Sequence, residues 1–283
     1  MAQRRHAPTA RLRRLAMELR QLRERADLSR EQVADSTEIN RATLYRIEMA
    51  QAKPQVRTLR ALLDAYDVPA ARQSELISLL KLAKEESWLQ VASEGLPDQY
   101  ATYIGFEQEA IAIFNYQSSF IPGLLQTEGY ARAAIPGGDP ELSAEVVENR
   151  VAARMARQAQ RDPASALTAI IDEAVLHRVV GGPKVMREQL QGLLDGSEHP
   201  HMTLQVIPFV AGVHPGMHGS FVLLQFDHDA HDVVYIETNA ADLFLESDQD
   251  LRRYRNILER LQAMAVSPEA TRDLVARVLA STK

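Results

Sequence analysis

Residues 29–48 read SREQVADSTEINRATLYRIE, and their spacing decides how the chain divides. It predicts two short helices joined by a tight turn. Ser29 supplies an N-cap hydroxyl, acidic Glu31 follows, Val33 and Ala34 face inward, and a second helix starts near Asn40. In that second helix Leu44 and Ile47 are three apart and share one face. At about 100° per residue, Arg41, Ala42, Tyr45 and Arg46 then fall on the opposite arc. Two guanidinium groups there suit the major groove, where guanine offers O6 and N7 to a bidentate donor. Any helical hairpin with a solvated outer face would carry charges in these places, so the flanks must decide.

The flanks are LRQLRERADLSREQVA at 19–34 and RIEMAQAKPQVRTLRALLDAYDV at 46–68. Together with the central stretch they resemble the Cro-repressor and xenobiotic-response-element family of helix-turn-helix DNA-binding domains, ungapped from the first helix onward. That resemblance implies base and phosphate contacts at Arg30, Asn40, Arg41, Thr43, Tyr45 and Arg46, and an internal ion pair between Arg23 and Glu48. The sequence departs from the family pattern at two positions usually held by glycine, Glu38 in the turn and Ala50 after the recognition helix. If both take a positive φ, each costs about 1 kcal/mol.

The 283 residues suffice for two domains, and 46% of them are apolar. The absence of Cys excludes disulfides and thiolate metal sites. The basic N-terminus MAQRRHAPTARLRR has no apolar segment or cleavage site after it, and no run of about 18 apolar residues occurs. These features imply a cytoplasmic protein without a membrane span. The formal net charge of −6 conceals a division: residues 1–86 hold 17 Lys+Arg against 12 Asp+Glu, and the remainder holds 15 against 26. A basic head supplies counterion release on DNA, and an acidic body limits non-specific sticking to phosphate.

In chain order, residues 1–10 form a basic arm, and from Thr9 a helix carries Leu12, Leu15, Leu19 and Leu22 at helical spacing. After the central pair, helices are expected over Leu59–Tyr66 and from Ala70 to Glu86, completing a five-helix DNA-binding domain at 1–87. Trp88 and ASEGLPDQY mark a linker at 88–100. The second domain, 101–283, reads as α+β. A helix is expected through IGFEQEAIAIF, then an apolar loop at Pro122-Gly123, a short helix capped by Thr127, and a helix over Glu141–Arg161 with arginines at 150, 154, 157 and 161. ALTAIID is β-like, DEAVLHRVV a short helix, and PKVMREQLQGLLDG a helix with proline in its first turn. MTLQVIPF, GSFVLLQFD, DVVYIET and ADLFLES then predict a small antiparallel sheet on which helices pack, and two helices close a mainly α chain.

FIPGLLQTEGYARA, IIDEAVLHRVVGG and VIPFVAGVHPGMHGSFVLLQF resemble the C-terminal domain found behind this DNA module in an actinobacterial family of antitoxin-like transcriptional regulators. The resemblance implies regulation rather than catalysis, and members are often encoded beside a small partner protein. Asp172, Glu173 and His177, or Glu107 with Glu109, are candidates for acid–base work, but acidic groups at a helix start are accounted for by its dipole. His199, His201, His214 and His218 invite a metal, yet no ligand spacing such as HExxH accompanies them. No metal or cofactor is expected.

The function expected is a sequence-specific DNA-binding transcriptional regulator, not an enzyme, whose C-terminal domain dimerises it and receives a signal from a small ligand or partner protein. The alternative is an antitoxin-like protein that mainly binds a small neighbour-encoded protein and autoregulates its operon. Double-stranded DNA and a second copy of the chain are the partners expected. Phe120, Ile121, Leu124, Leu125 and Tyr130 are the expected dimer or partner surface, with plain core packing as the competing account.

Overall fold

Leucines recurring every three or four residues build the first part of the chain. A computed structural model describes residues 10–82, 98–226, 232–238 and 242–283. The described residues divide into two compact units, one extending to 106 and the other starting at 107. In the first, helices α1 (Ala10–Arg25), α2 (Arg30–Thr37), α3 (Arg41–Glu48), α4 (Val56–Ala65) and α5 (Ala70–Leu82) surround one core. Leu15 and Leu19 of α1, Val33 of α2, Leu44 and Ile47 of α3, and Leu59, Leu62 and Leu63 of α4 meet there.

Each of the first four helices is followed by a residue in the left-handed conformation, and none of these is glycine: Asp27 (φ 54°), Glu38 (58°), Ala50 (53°) and Asp67 (53°). The turn is thus made with side chains where glycine would be unstrained, at about 1 kcal/mol each. The hydrogen bonds of a Schellman cap partly offset this cost after α1, α3 and α4. Leu28 N donates to Arg23 O, Gln51 N to Arg46 O and Val68 N to Leu63 O. The basic arm through residue 9 and the stretch 83–97, with Trp88 and most of the expected linker, lie outside the described residues. Residues 98–100 open α6 (Asp98–Glu109), which contributes to both units.

The second unit is built on a sheet of six strands: β1 (Ala112–Gln117), β2 (Ala166–Asp172), β3 (Met202–Ile207), β4 (Phe221–Gln225), β5 (Val233–Ile236) and β6 (Leu243–Leu245). The order is β3-β2-β1-β4-β5-β6. Helices do pack on a sheet as expected, but the sheet is mixed, not antiparallel throughout. β1, β2 and β3 run parallel, and β4, β5 and β6 are antiparallel. Parallel strands need helical crossovers. These are α7 (Glu128–Gly138) with α8 (Ala144–Gln160), then α9 (Glu173–His177) with α10 (Pro183–Gly196).

Helices cover both faces of the sheet, which explains the apolar runs of its central strands. On one face Ile170 packs with Phe221, Val234 and with Leu251, Leu258 and Leu261 of α11 (Asp248–Met264). On the other, Ala169 and Ile171 pack with Leu190 and Leu193 of α10 and with Val275 and Val278 of α12 (Pro268–Ser281). The segment expected to dimerise is part of this core. Ile121, Leu124 and Tyr130 are buried, and the Tyr130 hydroxyl accepts a hydrogen bond from Ile121 N. Leu125 is half-buried against the same core and Phe120 is 40% exposed, so most of this stretch serves core packing.

Candidate nucleic-acid interface

Two local caps fix the recognition helix. Ser29 and Gln32 form a capping box at α2: Ser29 Oγ accepts from Gln32 N, and Gln32 Oε1 accepts from Ser29 N at 2.8 Å. Asn40 caps α3, its Oδ1 accepting from Ala42 N at 2.8 Å. The Asn40 oxygen is therefore engaged within the protein, on a residue that is itself exposed.

The end of α3 is held by Glu48, whose side chain is fully buried. Arg23 Nε donates to Glu48 Oε1 at 2.7 Å, and Arg23 Nη1 donates to Leu28 O at 2.8 Å. Arg30 Nε donates to the other oxygen, Oε2, also at 2.7 Å. One carboxylate thus ties α1, α2 and α3 together. Burial lowers the Arg23 pKa, but the hydrogen bond to Glu48 and its charge outweigh this, so the guanidinium is held more firmly charged than usual. Arg30 also lies 5.5 Å from the centre of the Tyr45 ring, a cation–π contact that orients both side chains. Arg30, expected on DNA, spends its Nε on Glu48 while its side chain stays part-exposed.

Arg41, Ala42, Tyr45 and Arg46 are all exposed on the outer arc of α3. Arg41 Nη1 lies 2.7 Å from Glu31 Oε1 with both side chains solvated, a pair worth at most about 1 kcal/mol that a phosphate or a base edge can displace. Arg46 folds along its own helix, its Nη2 donating to Thr43 Oγ1 at 3.3 Å. Arg41, Tyr45 and Arg46 thus share one exposed arc of α3, with Asn40 at its N-cap, half-buried Thr43 at the flank and Arg30 against the Tyr45 ring.

The acidic candidates of the second unit have structural partners. Asp172 Oδ1 caps α9 by accepting from Ala174 N, and its Oδ2 lies 3.2 Å from Nε2 of buried His214. Glu173 accepts from Phe209 N at 2.7 Å and reaches His177 at 3.5 Å. Glu107 lies against Arg157, Nε to Oε1 2.9 Å. Among the described residues no three His, Asp or Glu side chains gather into a metal-ligating group, and no helix is long and apolar enough to cross a membrane.

Residues 14–76 match the family model described as Helix-turn-helix domain, and residues 100–277 match the one described as Domain of unknown function (DUF5753). No curated protein and no solved structure matches the chain.

Proposed function

We propose, for a chain that belongs to the Domain of unknown function (DUF5753) family and carries a helix-turn-helix domain ahead of it, the role of a cytoplasmic, sequence-specific regulator of transcription. The observation that carries this reading is the exposed row of Arg41, Tyr45 and Arg46 on a helix whose other side is anchored by Leu44, Ile47 and Glu48. Such a helix keeps its orientation when laid in the major groove, and its arginines read guanine edges. One module reads only a few base pairs, so the regulator acts as a homodimer on two half-sites about one helical turn apart. The C-terminal domain supplies the dimer contact and receives the signal. No catalytic step is assigned to it, since Asp172, Glu173 and Glu107 are engaged in capping and ion pairs.

Titration of the chain onto its operator fragment tests the reading. Arg41→Ala and Arg46→Ala should each weaken specific binding by about 1–3 kcal/mol and relax sequence preference, with two chains bound per duplex. Unchanged affinity in both variants would remove α3 from the interface. Arg30→Ala should weaken all sequences alike, since the part of its guanidinium beyond Glu48 meets phosphate.

A second reading, an antitoxin-like binder of a small neighbour-encoded protein, is favoured by one feature. The loop after β3 exposes Phe209 (61%), Val210 (91%), Val213 (88%) and Met217 (64%), an apolar cluster of the kind that marks a protein-binding surface. Copurification with the neighbour-encoded protein, lost on Val210→Asp and Val213→Asp, is the outcome this reading requires. A chain that elutes alone leaves DNA-binding regulation as its main task.

A further inference from the structure

The second unit contains a cavity of about 620 Å³, a volume suited to a small organic molecule. Its walls are largely apolar, with Leu124 before α7, Met155 on α8, Leu167 on β2 and Met202 on β3. Of its polar lining groups, two amides are already committed. Gln126 donates to Ile121 O and accepts from Arg154, and Gln158 donates to Gly123 O and Gln126 O. Arg161, His199 and His201 remain, one guanidinium and two imidazoles in the same lining.

Arg161 is short of counter-charge. Its Nη2 donates to Ser165 O, its Nε is buried without a partner, and no carboxylate lies within ion-pair distance of it among the described residues. Burial lowers its pKa, against the opposing charges of Glu107 and Asp162, which is the signature of a desolvated cation. Arg150 and Arg154, one turn apart on α8, lie with Arg157 in the field of the Glu237 carboxylate, a group whose charge partners do not include Arg161. The carbonyls ending α10, which would repel an anion, are occupied: Ser197 N donates to Leu193 O and His199 N to Gly196 O.

We propose that this cavity binds a monocarboxylate with an apolar body, its carboxylate paired with Arg161 and met by His199 and His201. Such a ligand would be the signal of the regulator proposed above. Binding is measured without DNA, so failure of the site and failure of the DNA reading are distinguishable.

Isothermal titration of the full chain with decanoate, and with decanol as the uncharged control, tests the site. Decanoate should bind one molecule per chain and more tightly than decanol, and Arg161→Gln should weaken decanoate at least about tenfold while leaving decanol unchanged. Gly196 also lines the cavity, and a side chain there would start 3.4 Å from Met202 Sδ, so Gly196→Phe fills the space. That variant should abolish decanoate binding while leaving the circular dichroism spectrum of the wild type. The proposal is overturned by the absence of saturable decanoate binding, by equal affinity in wild type and Arg161→Gln, or by binding that survives in Gly196→Phe.

Discussion

Glu48→Gln is expected to destabilise the helix-turn-helix unit by about 3–5 kcal/mol, a melting temperature lower by on the order of 15 °C or more. The carboxylate has no exposed side-chain surface and receives hydrogen bonds from Arg23 and Arg30. Glutamine keeps the volume but removes the charge, leaving two guanidinium groups around a neutral amide whose own NH₂ faces them as a donor. Arg23, almost as buried, has no water to turn to. An exposed pair such as Arg20 with Glu24 would cost less than about 1 kcal/mol when broken, and Arg20→Gln, which leaves Glu24 beside Arg23, is the matched control. Because Glu48 also fixes the end of α3, operator affinity should fall with the melting temperature. Thermal melts of Glu48→Gln lying within about 2 °C of wild type would show that the carboxylate's charge is not what holds the three helices together.

The physical reasons that made parts of this molecule legible in its sequence, and others not, are specific. The five helices of the first unit follow from leucine spacing because each has one buried and one wet face. Glu48 could be singled out through the family resemblance, but its second partner could not. Arg30 is 18 residues away, and nothing in local spacing separates an arginine aimed at phosphate from one aimed at a buried carboxylate. In the second unit the antiparallel strands were readable because turn residues separate them. β1 was not, since only Ala110 and Ile111 separate it from α6 with no Gly or Pro between, and buried residues at 113, 115 and 116 of AIFNYQ blur the alternation that betrays a half-buried strand. Missing β1 hid the parallel half of the sheet, as a β-like ALTAIID then had no parallel neighbour. The pairing of Asp172 with His214 spans 42 residues and depends on that same sheet geometry.

The second unit has its own buried charge, and its removal is expected to be as costly as that of Glu48. Glu107 and Arg157 are each 3% exposed, and Arg157 lies so close to Gly123 that a Cβ there would come within 2.8 Å of its Nη2. The guanidinium fills space that any larger residue at 123 would need, while its charge is met by Glu107. Glu107→Gln removes a buried counter-charge and leaves the packing, so its expected cost of about 3–5 kcal/mol reads the lost charge rather than lost volume. Replacing both partners by apolar residues of similar length, Glu107→Leu with Arg157→Met, should cost less than the single change, because neither member of the pair is then left without the other. Urea unfolding of the full chain followed by circular dichroism gives both values. A double variant as unstable as Glu107→Gln would mean that lost packing, rather than an uncompensated charge, sets the cost. Arg157 would then act chiefly as a long apolar stem beneath the Gly123 turn.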